Sequence, residues 1–137
     1  MENLDVSQLV LRPEDAPEVA GFIAELALPF LNVDPDLRGQ ADRLAVLGDA
    51  CSIAWNVSRL ERRAEGADLA RRHYAEIVAD NPRLKSVLDR LLKQARSMDW
   101  YACADVKILL EGDRVVISAV QHDAFSGLRA PDGQIAH

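Results

Sequence analysis

QADRLAVLGDACSIAWNVSRLERRA, residues 40–64, carries apolar side chains at helical spacing on more than one side. One apolar stripe consists of Val46, Ala50, Ile53, Val57 and Leu60. A second stripe lies beside it and consists of Leu44, Leu47, Cys51, Ala54 and Trp55. A helix that is apolar over most of its circumference packs against several neighbours. We therefore predict that residues 40–64 form the central helix, with Gly48 allowing one neighbour to approach closely.

The segment before this helix predicts a strand, a helix and a loop. Residues 4–11 are apolar and partly β-branched, which predicts a short N-terminal strand. Asp15 is a suitable N-cap, and Pro17 occupies a first-turn position where proline is tolerated. We expect this helix to end just before Pro29, because proline cannot donate the next helical hydrogen bond. Residues 29–38 are then expected to form a loop.

Two more helices are predicted after the central one. Gly66 separates it from a helix at about residues 67–80, and Asn81-Pro82 separates that helix from a fourth at about residues 83–98. The connection is short, which favours an antiparallel helical hairpin. The residues expected in the core of this bundle are Leu47, Ile53, Trp55, Val57, Leu88 and Leu91.

The pattern changes to strand periodicity near the C-terminus. Residues 106–110 and 114–120 are both rich in β-branched side chains, and Glu111-Gly112-Asp113 between them predicts a hairpin turn. A lone hairpin is marginal in water, so its apolar face needs cover. A helix face, a third strand from residues 6–11 or a second subunit would each supply it.

These elements predict a mainly α fold, loosely α+β. It is a bundle of about four helices around helix 40–64, with a C-terminal β-hairpin and a short N-terminal strand. The length of 137 residues suits a single compact domain, which we place at residues 1–120. Residues 121–137 lose their apolar spacing, and we expect them to form a mobile tail.

Composition and charge favour a cytoplasmic protein with a protein partner. The N-terminus is acidic and no window reaches the ~20 apolar residues of a membrane span. The two cysteines, Cys51 and Cys103, lie among small apolar residues and are expected to be buried thiols. The net charge of −6 argues against nucleic acid as the partner. The charge is segregated, with a balance of −7 in residues 1–58 and of +3 in residues 59–100, which favours association by complementary fields.

A polar stripe follows one face of the central helix. Asp49, Ser52, Asn56 and Arg59 lie on this face at helical spacing. The candidate ligand-binding residues are Asp49, Asn56 and Arg59 of this stripe, together with His73 of the next helix. Carboxylate and amide oxygens suit a hard cation, and His suits general-base chemistry. The other interpretation, which we favour, is a solvated edge or a buried network that ties the helices together.

A group of arginines surrounds the end of the central helix. Arg59, Arg62, Arg63, Arg71 and Arg72 are candidates for an anion or phosphate site, because the guanidinium fork suits phosphate. The interpretation that we favour for the first three is structural, since cations stabilise a helix C-terminus. No metal site and no cofactor are predicted.

Residues 83–98 carry five basic side chains on a predicted helix, namely Arg83, Lys85, Arg90, Lys93 and Arg96. This pattern also fits a DNA recognition helix. Residues 9–28, LVLRPEDAPEVAGFIAELAL, resemble the opening strand and helix of GCN5-related acetyltransferases. The family's pyrophosphate loop, an Arg/Gln-x-x-Gly-x-Gly/Ala run, is absent from this sequence. The resemblance therefore transfers no activity and no site residue.

These observations rank three functional hypotheses. The chain has no Gly-rich phosphate loop, no Cys-x-x-Cys, no His-Glu-x-x-His and no Gly-x-Ser-x-Gly. We therefore expect a non-catalytic interaction protein, such as an assembly factor, adaptor or regulator, that acts as a homodimer. The alternatives are a small-ligand or metal-dependent activity along the polar face of helix 40–64, and a DNA-binding regulator that uses helix 83–98.

Overall fold

The computed structural model describes residues 8–11, 17–63, 66–100 and 103–122. The fold is mainly α with a small β-sheet, as predicted. Its elements in chain order are β1 (Val10–Leu11), α1 (Pro17–Val33), α2 (Ala41–Leu60), α3 (Ala67–Asp80), α4 (Lys85–Arg96), β2 (Cys103–Glu111) and β3 (Arg114–His122). Short 3-10 helices at Pro35–Gly39 and Pro82–Leu84 precede α2 and α4.

The sheet has the strand order β1-β3-β2. β2 and β3 form the predicted antiparallel hairpin, in register from Cys103↔His122 to Glu111↔Arg114. Gly112 in its turn has a φ of 66°, a left-handed conformation that favours glycine. β1 pairs parallel to β3 at Val10↔Val116, so the N-terminal segment does supply a third strand.

The apolar face of the hairpin is covered by helices of the same chain. Val106, Ile108 and Ile117 are at most 4% exposed and belong to the common core. α2 packs along β2, and α1 packs against β3. The cover that the sequence required is therefore supplied within the chain, by helix faces and by β1, so the hairpin itself gives no reason to expect a second subunit.

α2 is the central helix, as predicted, and it contacts α1, α3, α4 and β2. Of the residues expected in the core, Leu47, Trp55, Val57, Leu88 and Leu91 are buried. Two residues of the predicted apolar stripe are less buried than the others, since Ile53 is half-buried and Val46 is 49% exposed. Ile53 still packs against the core, whereas Val46 faces the surface. α2 ends at Leu60 and is followed by a turn at residues 61–63, so it is shorter than the predicted helix 40–64.

The prediction that α1 ends before Pro29 is wrong. Pro29 lies inside the helix, which continues to Val33. Ala27 and Leu31, one turn apart, are both fully buried, so burial on both sides of the proline holds the last turn in place. The missing N–H of a proline costs one helical hydrogen bond, and here packing outweighs that cost. The predicted loop 29–38 is accordingly the end of α1 followed by a 3-10 helix.

Three other predicted boundaries also shift. A strand was expected at residues 4–11. Residues 4–7 lie outside the described part of the chain, and of residues 8–11 only β1, Val10–Leu11, is a strand. The helix expected at residues 83–98 is a 3-10 turn followed by α4, which ends at Arg96. β3 runs two residues into the expected tail, and the rest of 121–137 lies outside the described residues. No helix in the described part of the chain is long and apolar enough to span a membrane.

Candidate functional site

The polar stripe of α2 is directed at the backbone of β2. The Asn56 amide donates from Nδ2 to the Ala104 carbonyl at 2.9 Å, and its Oδ1 accepts from the Ala104 N–H at 2.8 Å. The Ser52 hydroxyl donates to the same carbonyl at 3.4 Å. Asn56 and Ala104 are buried. The middle of the stripe is therefore the buried network that we favoured, and it joins helix to sheet.

This network places α2 along the outer edge of β2. The N–H and C=O of Ala104 both bond to Asn56, so they point away from β3. In an antiparallel ladder, the backbone groups of alternate residues point to the same side. The N–H and C=O of Ile108, four residues later, therefore also point away from β3. A Cβ on Gly48 would lie 2.7 Å from the Ile108 nitrogen. Gly48, Ser52 and Asn56 lie one turn apart along the same face of α2. Through this face, α2 covers the exposed edge of β2.

Arg59 continues the stripe but reaches a different element, the end of α4. Its Nη1 donates to the Met98 carbonyl at 2.8 Å and to the Trp100 carbonyl at 2.6 Å, and its Nη2 donates to the Ala95 carbonyl. Arg59 is 1% exposed and its guanidinium lies 4.3 Å from the centre of the Trp55 ring. Burial, and then the charge of a neighbouring arginine, lower the pKa of Arg59 to about 10.

Arg62 reinforces this joint from the surface. Its Nη2 donates to the Arg96 carbonyl at 2.6 Å and to the Met98 carbonyl at 3.1 Å. The last carbonyls of a helix lack partners within it and carry partial negative charge. Arginines at the end of α2 therefore stabilise a helix terminus, as the structural interpretation expected, but the terminus is that of α4.

The other two candidate ligand-binding residues lie away from Asn56 and Arg59. Asp49 is exposed on α2, and His73 is half-buried on α3. Neither forms a hydrogen bond with Asn56, whose contacts go to Ala104, or with Arg59. Burial lowers the pKa of His73, so its imidazole is neutral at pH 7. The structure therefore does not bring the four predicted residues together in one site.

Three of the five candidate anion-binding arginines share a cleft of about 450 Å³, which we call the arginine cleft. It is lined by Arg59, Arg62, Arg63, Asp99 and Trp100. Arg71 and Arg72 lie elsewhere on α3, where Arg71 pairs with Asp68 and Arg72 is exposed. The arginine cleft is therefore formed by the end of α2 and the segment after α4.

A second cleft, of about 720 Å³, lies between α2, α3 and α4. Val57 and Leu92 contribute apolar walls, and the charged side chains around them are largely paired. Arg96 binds Glu61 at 2.6 Å. The Tyr74 hydroxyl donates to Asp89, and its pKa is raised first by burial and then by this hydrogen bond. Tyr74 therefore stays protonated at neutral pH.

An apolar groove of about 380 Å³ lies at the opposite end of α2 from the arginine cleft. Its apolar walls are Phe30, Leu37, Val46, Leu47, Leu84 and Val87. The sequence pattern placed Val46 in an apolar stripe of the central helix, and the groove was not predicted. The available signal was the pair of acids, Asp42 and Asp49, one turn on either side of Val46, because a buried position is seldom flanked by unpaired charges.

Of the basic side chains assigned to a DNA recognition helix, three have a contact within the chain. Lys85 binds Asp89 at 2.6 Å, and Arg96 binds Glu61. Arg90 lies over the Phe30 ring, with its guanidinium carbon 5.1 Å from the ring centre. The five basic residues therefore do not form one row of unpaired cations, and Arg83 lies in the 3-10 helix before α4 rather than in α4 itself.

Both cysteines are buried free thiols, as predicted. Burial raises the pKa of Cys51 to about 12 and that of Cys103 to about 11. Neither is a thiolate at neutral pH, so neither is an activated nucleophile. No group of three or more His, Cys, Asp or Glu side chains in the described ranges is placed to hold a metal ion.

Comparisons of this chain with protein-family models, with curated proteins and with solved structures found no match. Any functional conclusion therefore rests on the geometry of the apolar groove and of the two clefts.

Proposed function

We propose that this protein is a non-catalytic interaction domain, an adaptor, assembly factor or regulator, that forms a homodimer through the apolar groove. The observation that carries the proposal is the half-exposed Val46 at the wall of this groove. An isolated exposed valine is ordinary, but a concave apolar surface bounded by charged side chains is typical of a protein contact.

The charged side chains that line the groove are Asp42 and Arg43, and Arg43 pairs with Asp34 at 2.9 Å. Beside this lining, α2 and the α4 side carry charges of opposite sign at matching spacings. On α2, Val46 is preceded four residues earlier by Asp42 and followed three residues later by Asp49. On the α4 side, Val87 has Arg83 and Arg90 at the same two spacings. All four charged residues are exposed. We call these sets the acidic ridge and the basic ridge.

The acidic ridge and the basic ridge run in the same direction. Leu47 and Leu84, near the starts of α2 and α4, line the same groove, and Arg59 near the end of α2 binds Ala95 near the end of α4. A two-fold axis parallel to the groove places the acidic ridge of one subunit against the basic ridge of the other. Asp42 then faces Arg83 of the partner subunit, and the two ridges keep one register along their length.

Three of the four ridge charges form no ion pair among the described residues, and the fourth, Arg90, lies over the Phe30 ring. In the described part of the chain, no side chain forms an ion pair with Asp42, Asp49 or Arg83. The segregated charge of the sequence supports this arrangement, because the acidic ridge lies in the acidic first part of the chain and the basic ridge in the basic middle part. Its expected effect is to set the orientation of the partner and to speed association, while apolar burial at Val46 and Val87 supplies most of the affinity.

Sedimentation velocity over about 1–100 µM protein tests the proposal, since a dimer contact of modest size has a dissociation constant in or below this range. We expect a dimer for the natural sequence and a monomer for Val46→Asp. Asp42→Arg or Arg83→Asp alone should raise the dissociation constant at least tenfold, which corresponds to about 1.4 kcal/mol. The double variant D42R/R83D should recover most of this loss, because the pair is restored with its signs exchanged.

Glu76→Arg, an exposed charge reversal on α3, is the matched control and should leave the dimer intact. A monomer at every concentration would overturn the homodimer. A dimer that persists in Val46→Asp, with the fold checked by circular dichroism, would place the interface elsewhere. Failure of D42R/R83D to recover would remove the ridge pairing.

A further inference from the structure

The cleft of about 720 Å³ between α2, α3 and α4, which we call the tyrosine cleft, has the size of a small-molecule site. Its apolar surface comes from Val57 and Leu92, which are 2% and 5% exposed, and from the half-buried ring of Tyr74. Among the described residues, none lines both this cleft and the apolar groove. A small molecule in the tyrosine cleft therefore leaves the proposed dimer contact uncovered.

The two carboxylates that line the tyrosine cleft are already bonded to side chains of the protein. Glu61 accepts hydrogen bonds from Nε and Nη2 of Arg96, at 2.6 and 3.1 Å. Asp89 accepts one from the Tyr74 hydroxyl and one from Lys85 Nζ, the latter at 2.6 Å. Each carboxylate therefore has a cation of its own, and neither balances a further positive charge.

Lys93 is the cation in this lining that lacks such a partner. It lies one turn after Asp89 and one turn before Arg96, on the same face of α4. It is exposed, and no described residue forms an ion pair or a side-chain hydrogen bond with it. On the α3 wall, Arg71 pairs with Asp68 of the same helix, but both side chains are largely exposed and such pairs contribute little stability. An entering anion thus meets Lys93 on one wall and Arg71 on another.

We propose that the tyrosine cleft binds a small apolar molecule that carries one carboxylate. The apolar part packs on Val57, Leu92 and the Tyr74 ring, and the carboxylate accepts charge-assisted hydrogen bonds from Lys93 and Arg71. A single negative charge fits this lining better than two, because a second anionic group would lie near Glu61 or Asp89. Small-molecule sites commonly combine a mostly apolar lining with a few polar groups of this kind.

A titration with sodium 2-naphthoate, followed by ¹H–¹⁵N NMR spectra of the full chain, tests the proposal. Its aromatic ring shifts the amide signals of nearby residues, so the spectra report both the affinity and the place of binding. We expect saturable shifts around Tyr74 and Leu92. The neutral amide of the same ring system, 2-naphthamide, is the matched ligand, and it should bind at least about fivefold more weakly because it forms no charge-assisted bond.

Lys93→Gln should weaken 2-naphthoate binding at least about fivefold, since a hydrogen bond to a charged group is lost. Lys107→Gln is the matched control, because it removes the same charge from an exposed position on β2, outside the cleft. Its effect should stay below about twofold at constant ionic strength, where distant charges are screened. Circular dichroism checks that both variants are folded.

The proposal is overturned if the natural sequence gives no saturable shifts, or if Lys93→Gln binds 2-naphthoate as tightly as the natural sequence does. It is also overturned if 2-naphthamide binds as tightly as 2-naphthoate, because the carboxylate would then not be recognised. Shifts centred on Val46 and Val87 would place the ligand in the apolar groove instead and would equally overturn it.

Discussion

One amide side chain connects the central helix to the sheet. Asn56 presents a donor and an acceptor to Ala104, the same pair of groups that a neighbouring strand would present. Both residues are buried, so neither backbone group of Ala104 has water as an alternative partner. Asn56, which the sequence suggested as a metal or ligand contact, thus forms the two backbone hydrogen bonds that a neighbouring strand would otherwise form with Ala104.

Asn56→Leu should destabilise the fold by about 2–4 kcal/mol, because a side chain of similar size leaves a buried N–H and a buried C=O without partners. Urea unfolding followed by circular dichroism measures this loss. Ser52→Ala is the control, since its longer bond of 3.4 Å to Ala104 comes from a half-buried position, and its cost should stay below ~1 kcal/mol. Equal costs for the two variants would contradict the assigned role of Asn56.

At the scale of elements, α2 approaches β2 more closely than a side chain allows. Gly48 is the contact point, because a Cβ there would meet the backbone nitrogen of Ile108 at 2.7 Å. The obstacle is backbone rather than a flexible side chain, so relief requires the helix or the strand to move. The close approach is what lets Asn56, two turns later, reach Ala104.

Gly48→Ala should therefore destabilise the protein by about 1–3 kcal/mol, although alanine is the better helix former. Gly21 of α1 gives the matched control, since a Cβ there has nothing within 4 Å. Gly21→Ala should stabilise by about 0.5–1 kcal/mol. Thermal or urea unfolding of the two variants should give shifts of opposite sign, and shifts of the same sign would contradict the close approach.

The second contact between elements joins the C-terminal ends of α2 and α4. Two helices that run in the same direction bring their carbonyl ends together, which is unfavourable unless cations lie between them. Arg59 and Arg62 supply those cations and the missing hydrogen bonds. This need explains why arginines occupy these two positions at the end of α2.

At the scale of the whole molecule, α2 separates two surfaces of different chemistry. The apolar groove with its acidic and basic ridges lies near the start of the helix, and the arginine cleft lies near its end. The proposed dimer contact uses only the end of α2 that carries the apolar groove.

A dimer that buries the groove should also make the unfolding temperature depend on concentration. Association of native subunits stabilises them by mass action, so Tm should rise between ~1 and ~100 µM protein. Val46→Asp should remove this dependence while leaving the monomer folded, since Val46 is already 49% exposed. Calorimetry at several concentrations measures both effects. A Tm that is constant over this range for the natural sequence would contradict a dimer that forms in it.

The sequence by itself determined the elements that depend on local spacing. The apolar stripes of residues 40–64 predicted the central helix, and the β-branched runs around Gly112 predicted the hairpin, because side-chain periodicity reports directly on helix and strand. It also predicted that both cysteines are buried. It failed at Pro29, where local chemistry ends a helix but the burial of Leu31 extends it.

Only the tertiary structure decided where the polar side chains go. Asn56 and Arg59 lie three residues apart on one helix face, yet one reaches β2 and the other the end of α4. The apolar groove and the arginine cleft combine residues that are distant in the chain, such as Val46 with Val87 and Arg59 with Asp99. Periodicity specifies which face of a helix is polar, but which neighbour lies against that face depends on how all the helices pack at once.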